Sequence, residues 1–115
     1  MTKERKITIK DAGKPNNNYL NHKITIKYSD NVMELQLMDY NLVPSKHFSL
    51  GWMRKWGWNM DELELALKGS SKIKKVGKCK FEAYATHGCK GKSRKLIFIT
   101  DNKEVLVITG AEGKW

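Results

Sequence analysis

Three of the four tryptophans of this chain fall within residues 47–68, HFSLGWMRKWGWNMDELELALK, and no other stretch constrains the fold as strongly. Phe48, Trp52, Met53 and Trp56 recur at helical spacing and define one apolar face. Gly57 interrupts the pattern, because glycine is a poor interior helix residue and a good C-terminal stop. Asn59, with Glu62 three residues on, has the form of an N-cap and its capping-box partner. The spacing predicts a first helix over residues 45–56, capped by Ser45, and a second over residues 59–68. Met60, Leu63 and Leu67 form the buried stripe of the second, with Ala66 beside it. The three tryptophans read first as core: Trp52 and Trp56 belong to the stripe of the first helix, and Trp58, just past the glycine, is the one candidate for exposure, where it could stack on a base or anchor a partner. Two short helices with one apolar face each need a sheet to cover them.

The flanking sequence supplies it. Ile7-Thr8-Ile9 reads as a strand. A second strand is expected over residues 19–29 and a third over residues 32–38, joined by a turn at Asp30-Asn31. Residues 39–44 read as a connection. After the helices come a short basic strand from Lys72, a turn at Gly77-Lys78, and an alternating strand with Cys79, Phe81, Ala83 and Ala85 on one face and Lys80, Glu82, Tyr84 and Thr86 on the other. A glycine-containing loop, residues 87–93, leads into two strongly apolar strands over residues 95–100 and 105–109, turned at Asp101-Asn102-Lys103 and expected at the sheet centre with both faces buried. The fold class is α+β: one domain of 115 residues, with an antiparallel sheet of five to six strands and both helices on one face.

Charge narrows the partners. The chain has 22 Lys+Arg against 12 Asp+Glu, a net charge of +10. Such an excess favours anionic partners. Nine of the cations lie between Gly69 and Lys95, at Lys72, Lys74, Lys75, Lys78, Lys80, Lys90, Lys92, Arg94 and Lys95, with Glu82 the one acid among them. Contacts from these side chains to phosphates would give steeply salt-dependent binding. The loop around Lys90 and Lys92 can present lysines and backbone N–H groups together. The bland reading is a solvated strand edge, where lysines block edge-to-edge pairing.

Other chemistry is sparse. No metal-ligand spacing, nucleotide-binding loop or dinucleotide fingerprint is present, so no metal or cofactor is expected. Cys79 is expected to be a small buried strand residue, and Cys89 an exposed loop residue near His87. Glu112 is expected to be solvated. For proton transfer, His47 is the leading candidate because histidine titrates near neutrality. Arg54, seven residues later, stands two turns along the same face of an unbroken helix. The bland alternative for His47 is a helix-start hydrogen bond, and for Arg54 a surface cation. No apolar run reaches the roughly 20 residues of a membrane span, and the N-terminus is charged, so a cytoplasmic protein is expected.

The second half also carries a resemblance. Ser45-Lys46-His47-Phe48, Met53-Arg54, Gly57 and an acidic amphipathic helix ending in Ala66-Leu67 are followed by the Gly77-Lys78 turn, a strand and a basic loop. Lys95-Leu96-Ile97-Phe98 and Val105-Leu106-Val107-Ile108-Thr109 complete the order. Over residues 45–113 this resembles the small BrnT-like proteins grouped near the RelE-like toxin superfamily. The resemblance implies a metal-independent, toxin-type endoribonuclease held by an acidic antitoxin, with His47 and Arg54 at the matching positions. Residues 1–44 lie outside the pattern. The alternatives are a non-enzymatic module that binds nucleic acid, RNA ahead of DNA, or a protein partner, and a protein whose charge serves only solubility.

Overall fold

The computed structural model describes residues 22–85 and 93–113. The expected strand at Ile7–Ile9 and the loop carrying Cys89, Lys90 and Lys92 lie outside the described residues. Six strands form one sheet: β1 (Lys23–Ser29), β2 (Glu34–Pro44), β3 (Lys72–Lys75), β4 (Lys80–Ala85), β5 (Ser93–Asp101) and β6 (Glu104–Gly113). Their order is β1-β2-β6-β5-β4-β3, so the two most apolar strands are central, as their composition predicts. They are buried on one face only, however: among the described residues nothing covers the other, and Ile97, Ile99, Leu106 and Ile108 stay half-exposed. Two helices follow β2: α1 over residues 46–56, and α2 (Met60–Lys68). The sheet is nearly barrel-shaped. At its seam, the backbone of Ile73 on β3 comes close to the Tyr28 hydroxyl on β1, at the opposite edge.

The sheet is mixed, which corrects the antiparallel expectation. β2 and β6 pair in parallel, Asn41 opposite Glu104 and Pro44 opposite Val107. The cause is topological. The helices carry the chain from β2 to the far edge, and the meander β3-β4-β5-β6 returns it to β2 running the same way. Side-chain alternation reports which face is buried, not which way the neighbour runs.

A second correction concerns residues 39–44, which continue β2 instead of connecting it to the helices. Asp39 takes φ 55°, a left-handed conformation that Asp tolerates, and its N–H donates to Thr25 Oγ1 at 3.1 Å. The register slips between Ile24 and Ile26 opposite it, a bulge that keeps the strand going. Pro44 closes the strand, where its missing donor costs least. The β1–β2 connection is built on Asp30, whose Oδ1 accepts from the N–H groups of Val32 and Met33 at 2.8 and 2.9 Å. At the β5–β6 turn, Asn102 and Lys103 both take positive φ, 48° and 62°, as a two-residue hairpin turn of matching twist requires.

The helix signals hold residue by residue. Ser45 Oγ accepts from the Phe48 N–H at 3.0 Å and donates to the Ile108 carbonyl at 3.1 Å, fixing α1 to β6. Gly57 ends α1 at φ 72°. Asn59 and Glu62 form a reciprocal capping box, both bonds 2.9 Å. Helix α1 is not uniform: Ser49–Met53 is a π-helical turn between short α-helical pieces, Lys46–Phe48 and Arg54–Trp56. Its wider i→i+5 turn brings Met53 into the core while Trp52 stays half-buried. Leu63, Ala66 and Leu67 of α2 are fully buried against the sheet, alongside Phe48, Leu96, Phe98 and Val107.

Candidate nucleic-acid interface

The register of β3, β4, β5 and β6 sorts the basic segment into two faces. Phe81, Ala83 and Ala85 on β4 turn inward with Leu96 and Phe98 of β5, towards the helices. The alternate residues form the outer face. There Lys72, Tyr84, Lys95 and Ala111 stand in one row across the four strands, and Lys74, Glu82, Ile97 and Thr109 in the next. Lys80, Ile99 and Leu106 follow. Tyr84 is thus flanked on both sides by a lysine, one strand spacing of about 5 Å away in each direction.

The electrostatics of this face are simple. Lys72, Lys74 and Lys80 are exposed. Lys95 is half-buried and lies 3.7 Å from the Glu82 carboxylate. The Tyr84 hydroxyl donates to Glu82 at 3.1 Å. Burial, and then that carboxylate, raise the Tyr84 pKa above its ordinary value, so the ring stays neutral well beyond physiological pH. A groove of about 400 Å³ opens where β3 begins and β4 ends, walled by Ser71, Lys72, Lys74, Tyr84, Ala85, Ser93 and Arg94. A neutral aromatic ring between cations, with half-exposed Ile97 and Ile99 alongside, can meet a base and its flanking phosphates at once.

Not every residue of the basic segment contributes. Arg94 turns inward and is buried. Its guanidinium lies 4.7 Å from the Trp56 ring centre and 5.7 Å from that of Trp58, and its Nε donates to Glu112 Oε2 at 3.2 Å. Glu112 is therefore an ion-pair partner and not the solvated carboxylate the sequence leads one to expect. Trp58, the candidate for exposure, is buried. The left-handed Gly57 folds the chain back so that the Trp58 N–H reaches the Met53 carbonyl at 2.9 Å and its ring meets Trp56 at 4.9 Å. Lys75 pairs with Phe81 on the inward register, though its position at the sheet edge leaves it exposed. Lys78 sits exposed in the turn before β4. Cys79 lies in that same turn and is exposed, because β4 starts one residue later than the alternation implied.

His47 and Arg54 stand apart from the lysine rows. Both are exposed on α1, which packs on the inward side of the sheet. The π-helical turn between them rotates Arg54 out of line with His47. Arg54 lines an open groove of about 430 Å³ with Ser49, Met53, Trp58, Asn59, Met60 and Asp61, and His47 is not part of its lining. The residue that sequence reasoning underrated on the outer face is Tyr84. Its alternation was visible, but its lysine neighbours come from other strands. Three metal-ligand side chains also meet on the helical side, His22, Asp61 and Glu64, where sequence spacing gave no sign of them.

No helix among the described residues is long and apolar enough to cross a membrane. No protein-family model matches the chain, and no match is found among curated proteins or solved structures.

Proposed function

We propose that this is a cytoplasmic nucleic-acid-binding protein that takes single-stranded RNA ahead of DNA on the outer face of β3, β4 and β5. The observation that carries the reading is the row Lys72-Tyr84-Lys95, an aromatic ring with a cation on either side, on a sheet face that also carries the exposed Lys74 and Lys80. A duplex presents mainly phosphates at such a surface. The ring and the half-exposed isoleucines favour unpaired bases, which can stack. The net charge of +10 adds a long-range attraction to any polyanion.

Binding is the part of the reading that the geometry supports. Cleavage by His47 and Arg54, with an acidic antitoxin as partner, rests on the resemblance of residues 45–113 to BrnT-like and RelE-like proteins. The separation of those two residues from the lysine rows gives it no added support. The test is titration of labelled single-stranded RNA, single-stranded DNA and duplex DNA over a salt series, with products run from the same samples. Salt-dependent binding of RNA that Tyr84→Ala weakens by about 1–3 kcal/mol, with Tyr84→Phe close to wild type, is the expected result. Absence of binding at low salt would remove the proposal. RNA cleavage abolished by His47→Ala would restore the enzyme.

A further inference from the structure

On the helical side of the sheet, three side chains that the sequence keeps far apart converge. Asp61 and Glu64 stand one turn apart on α2, and His22 immediately precedes β1, which packs against that helix. One donor atom from each lies within 4.8 Å of the other two. His22 Nε2 is 2.7 Å from Glu64 Oε1. We propose that His22, Asp61 and Glu64 form a binding site for a divalent transition-metal ion of the zinc type, independent of the nucleic-acid face.

Three features of the geometry argue for it. First, an imidazole nitrogen and two carboxylates are the donor set that zinc accepts, and three protein ligands leave a fourth position open. Ligand atoms about 2.1 Å from zinc at tetrahedral angles sit roughly 3.4 Å from one another. Drawing the three atoms to that spacing is a matter of side-chain rotation, since His22 and Glu64 are half-buried and Asp61 is exposed. Second, the electrostatics are left unbalanced. Lys68 approaches Glu64 through the other carboxylate oxygen, Oε2, at 3.6 Å, leaving Oε1 to His22. Asp61 has no ion-pair or hydrogen-bond partner among the described residues, although it stands on the same helix face as Glu64. Like charges at that spacing destabilise a helix, and a divalent cation between them removes the repulsion. Third, the site is accessible. Asp61 also lines the 430 Å³ groove that contains Arg54, so an open coordination position there has space for water or an anionic ligand.

The experiment is calorimetric titration of the full chain with Zn2+, paired with Co2+ absorption spectra. Variants are His22→Ala, Asp61→Asn and His47→Ala, each checked for its fold by circular dichroism. Expected are one ion per chain, affinity lowered at least roughly tenfold by His22→Ala and by Asp61→Asn, and no change with His47→Ala. The Co2+ spectrum should lack the charge-transfer band of a thiolate ligand. Asp61→Asn alters an exposed side chain, so it reports on the site even where His22→Ala weakens the fold. Equal affinity in wild type and Asp61→Asn, absence of stoichiometric binding, or a thiolate band that points to Cys79 or Cys89 would each overturn the assignment.

Discussion

Arg94 and Lys95 are neighbours on β5, and they live in different environments. Arg94 is buried under Trp56 and Trp58 and paired with Glu112. Lys95 faces outward beside Tyr84 and Glu82. One residue of register separates a cation that holds the helices to the sheet from one that can meet a polyanion. The guanidinium suits the first place because it is planar, stacks on rings and keeps its charge when desolvated. The outer lysines Lys72, Lys74 and Lys80 stay exposed and hydrated, while the half-buried Lys95 shares its charge with Glu82. A segment's charge therefore overstates the charge it can offer to a partner.

The sharpest way to break this contrast is Arg94→Ala. It leaves Glu112 in a half-closed site with, among the described residues, only the more distant Lys55, at 3.8 Å, and removes the stacking on two tryptophans. A loss of about 3 kcal/mol is expected, measured by urea denaturation. A loss under about 1 kcal/mol would mean that Arg94 is no more structural than its neighbour. Gly110→Ala probes the same aromatic cluster from β6. A Cβ there would stand 3.0 Å from Trp56 Cη2 and 3.1 Å from Phe48 Cε1, two rings with little room to yield. Destabilisation of about 1–3 kcal/mol is expected.

Outer-face variants should give the opposite pattern. Lys74→Ala is expected to change stability by no more than about 0.5 kcal/mol while reducing the slope of log affinity against log salt by about one. A stability loss like that of Arg94→Ala would erase the distinction between the faces. The smallest effect concerns the β1–β2 turn. The N–H groups of Met33 and Val32 and the Tyr28 hydroxyl hold the Asp30 carboxyl below its ordinary 3.8, with the Met33 N–H the largest cause. Its contribution is thus fully present above that value and is lost as pH falls through the lower, folded value. Amide protection at Val32 and Met33 should drop over that acid range in wild type and show no such step in Asp30→Asn.

Much of the helical layer was legible because its signals are local. Ser45, Gly57, Asn59 and Glu62 act through bonds spanning a few residues, so their spacing alone implies the caps. The alternation of Phe81, Ala83 and Ala85 likewise names the buried face of β4 without knowledge of its partners. Legibility failed where a long-range contact overrode a local signal. Asp39, Asn41 and Pro44 are turn formers by type, yet Thr25 and the β6 ladder hold them in a strand. Trp58 sits after a helix stop, yet the turn returns it to the core. The candidate interface was half legible: its lysines stood out, but the split between Arg94 and Lys95 and the framing of Tyr84 depend on register.

By itself, the sequence determined two capped helices, the inward face of β4, central apolar strands and a surplus of positive charge. Each of these follows from local hydrogen bonding or from the two-residue and 3.6-residue periods of the backbone. Only the tertiary structure decided that β6 lies parallel to β2, that Arg94 is buried while Lys95 is not, and that His22 meets Asp61 and Glu64. Those outcomes depend on which strand lies beside which and where the helices dock. Strand order and docking are set by packing between residues far apart in the chain, which no local period encodes.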